Sequence, residues 1–346
     1  MSSGSSLVGV AVAALLALAG LGIYHSSAMP DIGASAKAAY QRPASIPFPA
    51  DDPYSGAKTE LGRTLFFDPR VSGAGNIACA TCHNPGLAWG DGLTIAIGAG
   101  GRQLERRSPT LLNLAWGTPL MWDGRFEDLE HQAAGPVVAP GEMNQTMPKL
   151  VAKLGALPGY RRLFDSAFPN EGISEKTITQ AIATFERGIV SGRAPFDRWI
   201  EGDESAISES AERGFMLFNG KGRCAQCHSG WRFTDDSFHD IGLPDQDLGR
   251  GRIRSKVPLL QHAFKTPGLR NVAERAPYMH DGSVPTLIAV MRHYNDGFVS
   301  RPSLSPEIKP LHLSDAEMDD LVRFMLALTS KDAPVAIPAL PSQEEK

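Results

Sequence analysis

All four cysteines of the chain fall in two copies of one short pattern, Cys79-Ala-Thr-Cys82-His83 and Cys224-Ala-Gln-Cys227-His228. A Cys-x-x-Cys-His loop offers two thiols to the vinyl groups of one haem while the adjoining imidazole reaches the iron from the same side. Each copy therefore predicts a covalently attached c-type haem, with His83 and His228 as the respective iron ligands. Two Cys-x-x-Cys pairs also suit a four-thiolate zinc site, two redox dithiols or two disulfides. None of these calls for a histidine directly after each pair, and both pairs have one.

The sequence around the motifs repeats as well. Glu60-x-Gly62-x-x-Leu65-Phe66 precedes the first and Glu212-x-Gly214-x-x-Leu217-Phe218 the second. Helical spacing of apolar residues predicts helices from Thr59 to Phe67, from Ser174 to Ser191 behind a Ser174 cap, and from Ser210 to Phe218. Ser314-x-x-Glu317 reads as a capping box opening a helix that carries Leu321, Phe324, Met325 and Leu328. Residues 192–203 read as a loop. Strand-like alternation is scarce. The expectation is a mainly α fold of two cytochrome c-like domains, 55–200 and 201–330, related by internal duplication and holding one haem each. An extended lead-in, 29–54, precedes them, and a Pro-rich flexible tail, 331–346, follows.

With 346 residues there is length for two domains, and 42% hydrophobic against 21% charged residues excludes a disordered chain. A net charge of −4 without a long basic run excludes the electrostatic footprint of a nucleic-acid binder. Residues 1–28 lack Asp, Glu, Lys and Arg, and the apolar run Leu7 to Ile23 is followed by His25-Ser26-Ser27-Ala28, with small residues at Ser26 and Ala28. This predicts a cleaved signal peptide, although its n-region lacks the usual Lys or Arg; an uncleaved anchor is the alternative, and the only route to a membrane. Both place the rest of the chain outside the cytoplasm.

Further motifs carry a resemblance. Phe264-Lys-Thr-Pro-Gly-Leu-Arg-Asn-Val and Ala276-Pro-Tyr-Met-His-Asp-Gly-Ser resemble the bacterial di-haem cytochrome c peroxidases and their MauG-like branch, as do Arg107-Ser-Pro-Thr-Leu, Trp122-Asp-Gly-Arg and Phe238-His-Asp-Ile-Gly. The similarity runs from about residue 55 to 330 with the family's order of motifs. It implies a periplasmic enzyme whose first haem, on His83, reacts with hydrogen peroxide and whose second, on His228, transfers electrons. It also implies Trp122 between the haems, Gln132 and Glu142 in the peroxide pocket with His131 as another candidate base, and His280 beside a haem propionate. Taken alone, Trp122 reads as ordinary core packing, and Gln132 and Glu142 read more readily as solvated surface than as a pocket.

The second ligand of the electron-transfer haem separates the branches. The resemblance puts Met there in peroxidases and Tyr in MauG-like proteins, seven residues beyond the Leu of Pro285-Thr286-Leu287. Tyr294 stands at that spacing, and Met291, one helical turn earlier, is its rival. Two departures stand out. Arg107 occupies the position of a calcium-binding Asn, and a guanidinium cannot ligate calcium, so that ion is doubtful. Gly222 occupies the position of a surface tryptophan on the MauG electron route. The resemblance implies an enzyme that uses hydrogen peroxide to reach a high-valent di-haem state and oxidises a Trp or Tyr side chain of a partner protein. The alternative is a peroxidase drawing electrons from a small cytochrome or cupredoxin; a non-catalytic di-haem carrier ranks third.

Overall fold

The computed structural model describes Met1 and residues 37–342. The segment read as a signal peptide or anchor lies outside the described residues apart from Met1. No described helix is long and apolar enough to cross a membrane.

The first half opens with α1 (Gly56–Phe67), capped by Ser55, and the single turn α2 (Cys79–Cys82). A long irregular stretch follows, then α3 (Leu129–Val138), α4 (Met147–Gly155), α5 (Pro158–Ala167) and α6 (Glu175–Arg187). The short α7 (Pro195–Ile200) leads into the second half, with α8 (Glu209–Asn219), α9 (Leu287–Asp296) and α10 (Asp315–Ala327). Two two-residue strands, β1 (Phe238–His239) and β2 (Phe264–Lys265), pair antiparallel with Phe238 opposite Lys265. The mainly α reading holds.

The duplicated Gly has a packing cause. α1 crosses α6 and α8 crosses α10. A methyl group on Gly62 would run into the Ala181 carbonyl, and one on Gly214 into the Asp320 carbonyl. Each crossing buries the apolar face that follows, Leu61, Leu65 and Phe66 in the first half and Phe215 and Phe218 in the second. Glycine in a helix interior costs about 1 kcal/mol relative to alanine, so exposed sites gain from the exchange. Here the sign reverses. Gly62→Ala and Gly214→Ala should each destabilise the protein by about 3 kcal/mol, the upper end of ordinary overpacking. Thermal unfolding of the haem-loaded protein checks this, and an unchanged or higher Tm would refute the close crossing.

The Ser174 cap and the Ser314–Glu317 capping box form as read, and Ser174 also closes a box with Thr177. Two boundaries differ. The helix expected to reach Ser191 ends at Arg187, because Asn113 Oδ1 accepts from the Ser191 amide at 3.1 Å and holds that strand of chain extended. The expected loop 192–203 contains α7, where Pro195 takes a first-turn position and Asp197 accepts from the Ala194 amide at 2.8 Å. Asp197 is fully buried and pairs with Arg270 at 2.8 Å, joining α7 to the second half. From the lead-in, Tyr40 stacks on Phe233 in the second core. At the other end, carbonyls of Ala336 and Pro341 accept from Arg63 and Arg70 of the first half.

Candidate active site

A cavity of about 780 Å³ lies between the two cores and takes its lining from both halves. Cys79, Cys82 and His83 face it from one side, and Cys224, Cys227 and His228 from the other. The two motifs close with the same hydrogen bond, His83 N–H to the Cys79 carbonyl at 2.9 Å and His228 N–H to the Cys224 carbonyl at 2.8 Å. His83 Nδ1 lies 3.2 Å from the Trp89 carbonyl oxygen and His228 Nδ1 2.9 Å from that of Phe233. A carbonyl only accepts, so Nδ1 carries the hydrogen in both rings and Nε2 keeps its lone pair for a metal. Burial lowers the pKa of both imidazoles, which keeps them in the neutral form a ligand needs.

No disulfide joins any two of the four cysteines. Burial pushes the Cys82 thiol up to about 11 and the Cys224 thiol to about 12, so neither is the ready thiolate of a redox dithiol. Nor do the pairs converge. Among the described residues the groups able to hold a metal are Cys227–Asp235–His239 and Asp245–His280–Asp281, and neither joins the two motifs.

The walls suit haem. Arg107 Nε, Arg275 Nε and His280 Nε2 are buried in the cavity lining without a hydrogen-bond partner among the described residues. His280 Nε2 lies 3.8 Å from Asp245, beyond hydrogen-bond reach. Burial pushes Arg275 down to about 10, the signature of a cation lacking its counter-ion. Carboxylates such as haem propionates would complete all three groups.

The other expected site residues divide. Trp122 lines the cavity, donates from Nε1 to the Arg107 carbonyl at 3.0 Å, and meets the His280 ring edge-on at 6.4 Å; His280 in turn stacks on Phe264 at 3.5 Å. Gln132 on α3 is buried, lines the cavity, and among the described residues its side chain has only the weak acceptor Met121 Sδ, at 3.5 Å. Glu142 lines it too, its carboxyl pKa raised by burial against an opposing pull from Arg125. His131 does not belong with them. Its side chain is exposed and tied to Asp128 at 2.7 Å, on the opposite face of α3 from the cavity. On α9, Tyr294 and Met291 both line the cavity. The Tyr294 hydroxyl has no hydrogen-bond partner among the described residues, and burial raises its pKa. Met291 is 4% exposed and part of the second core.

Three positions add to this. Glu186 was not expected: it closes α6, lines the cavity, and burial pushes its carboxyl up to about 8. Its only sequence signal was a charged residue in the apolar stripe of that helix. Arg107 points its guanidinium into the cavity, donating to the Arg275 carbonyl at 2.9 Å, and supplies no ligand for calcium. Gly222 is buried against the Leu217 carbonyl, with no room for a large side chain.

Comparison with known proteins agrees with this architecture. A model described as di-haem cytochrome c peroxidase matches residues 56–205, and one described as cytochrome c matches 211–329. The methylamine utilization protein MauG of Methylorubrum extorquens is 53% identical over 89% of this chain and 88% of its own. The chain belongs to the di-haem cytochrome c peroxidase family. Within that family, the cytochrome-c peroxidase IdrP1 of Denitromonas iodatirespirans is 35% identical over 82% of this chain and 84% of its own. The crystal structure of a MauG-like protein associated with microbial copper homeostasis superposes with a TM-score of 0.77 at 34% identity, covering 84% of this chain and 95% of that one. As a di-haem peroxidase-type oxidoreductase the protein carries two c-type haems.

Proposed function

We propose that this di-haem oxidoreductase works in the periplasm as a MauG-like enzyme, taking oxidising equivalents from hydrogen peroxide and passing them to a Trp or Tyr side chain of a partner protein. The observation that carries this reading is Tyr294, which lines the cavity from α9 with no hydrogen-bond partner for its hydroxyl among the described residues, and which would serve with His228 to hold the second haem. When bound, the haems supply the redox chemistry: they accept peroxide's oxidising equivalents and release them one electron at a time.

The chain's own groups do the rest. Glu142, its pKa raised by burial, can take a proton from one peroxide oxygen and return it to the other. Gln132, whose amide donates to the weak thioether acceptor of Met121, can orient the same molecule. The Trp122 ring can give and regain an electron between the two halves, while the Arg107 carbonyl keeps its N–H proton in place. Glu142→Gln should leave both haem spectra nearly intact and slow the reaction with peroxide by about 100-fold, the lower end of what a positioned acid–base group contributes. Stopped-flow mixing with peroxide measures this, and an unchanged rate removes Glu142 from proton transfer.

The peroxidase reading keeps one observation in its favour, that Met291 lines the same cavity. Steady-state assays with a reduced small cytochrome or cupredoxin as sole donor separate the two. The MauG-like reading expects slow turnover with either donor. Rapid peroxide reduction by one of them would establish the alternative.

A further inference from the structure

Two tryptophans meet outside the cavity where the halves join. Trp116 ends the short 3-10 turn Leu114–Trp116 and packs edge-to-face on Trp231, with ring centroids 4.8 Å apart and planes at 83°. Trp231 lies just beyond His228 in the chain and just before Phe233, whose carbonyl orients the His228 ring. Its own carbonyl accepts from Arg270 Nε at 2.7 Å, which fixes this stretch to the second core. Neither indole lines the central cavity, but their chain neighbours Leu114, Gly117 and Arg232 do. On the other side both rings line an outer groove of about 190 Å³. The pair thus stands between residues that line the cavity and the outer groove. Both rings are half-buried, so they are reached from solvent as core tryptophans are not.

We propose that Trp231 and Trp116 form a two-step electron relay between the second haem site and an aromatic side chain of a protein docked at the outer groove. The proposal rests on the MauG-like reading above and adds the route and its two residues. Electron transfer slows steeply with distance, and an indole can be oxidised transiently, so two rings in contact divide one long transfer into short ones. The groove's 190 Å³ suits a single ring rather than a larger element.

The electrons balance. Hydrogen peroxide takes two electrons and two protons and leaves as two waters. One electron at a time passes inward from Trp231, which recovers it from Trp116, which recovers it from a phenol or indole of the docked protein. That donor loses its proton to solvent. Neither relay indole has a hydrogen-bond partner for its N–H among the described residues, so each can release and regain its proton to water. The environment also gives a direction. The Arg42 and Arg270 guanidiniums lie over the Trp231 ring at 5.3 and 6.0 Å, and no described cation lies over Trp116. Positive charge at a ring face makes removal of an electron harder. An oxidised Trp231 therefore draws an electron from Trp116, and the oxidising equivalent moves outward.

Peptide mapping by mass spectrometry tests the relay. Haem-loaded protein is treated with a few equivalents of hydrogen peroxide and no reductant, then digested. Oxygen should be incorporated at Trp116 above all, and at Trp231. Trp231→Phe should lower incorporation at Trp116 at least ten-fold while peroxide consumption stays at the wild-type rate, and Trp116→Phe should move the label to Trp231. If Trp116 is labelled equally in Trp231→Phe, or if other aromatic residues are labelled and these two are not, the relay is overturned and the MauG-like reading stands. If the wild type consumes no peroxide, both fall together.

Discussion

A Cys224→Ala, Cys227→Ala double variant should lose half of the covalently held haem and, with it, the folded second half of the chain. The first loss follows from the chemistry, since the two thioethers of that site have no other source among four cysteines. The second follows from volume. The cavity between the cores is about 780 Å³, and half of it left as void would cost roughly 9 kcal/mol at about 24 cal/mol per Å³. That equals the whole stability of an ordinary domain. Water entering the void would not restore the loss at the apolar part of the lining, which includes Phe218 of α8, Leu287, Val290 and Met291 of α9, and Met325 of α10. Haem staining of denatured protein and the pyridine haemochrome spectrum measure the attachment, and circular dichroism measures the helix content. Haem that extracts into organic solvent from the denatured wild type would contradict covalent attachment.

Tyr294→Phe should have the second large effect, on the electronic state of the haem held by His228. A phenolate is anionic and hard and favours ferric iron, whereas thioether sulfur favours the ferrous form. Burial raises the pKa of the Tyr294 hydroxyl, so its ionised form needs a positive partner at the oxygen, and among the described residues no cation provides one. Ferric iron would. Removing the hydroxyl should change the low-spin ferric spectrum and raise that haem's midpoint potential by on the order of 0.1 V, within the ~0.8 V range that axial ligands command. Met291→Ala should leave both nearly unchanged. The reverse pattern, with Met291→Ala abolishing the low-spin signal and Tyr294→Phe sparing it, makes Met291 the ligand and favours the peroxidase reading.

What could be read from the sequence follows the range of the forces involved. The haem loops, the cap at Ser174, the capping box at Ser314, and the duplicated helix openings are local, so their residues carry the whole signal. The crossing partners of Gly62 and Gly214 were invisible, because Ala181 and Asp320 are more than a hundred residues away in the chain. Adjacent His131 and Gln132 were both candidates; a helix turns about 100° between them, so only the fold decides that Gln132 faces inward and His131 outward. Glu186 escaped notice because a charged residue at a helix end usually lies at the surface, whereas here the cavity lies against it. The irregular stretch between α2 and α3 has no periodicity to read. Its shape is set by single bonds such as Asn113 to Ser191 and by left-handed residues at Trp89, Asn113 and Met121.

The central claim is that the protein stores peroxide's oxidising equivalents for use on another protein instead of discharging them to a soluble donor. One equivalent of hydrogen peroxide, added to the fully ferric haem-loaded protein in the absence of any reductant, tests it most directly. Optical spectra should change at both haems together, the change should persist for minutes, and the resting spectra should return without loss of haem absorbance. Rapid bleaching, or a change confined to one haem, would contradict the account.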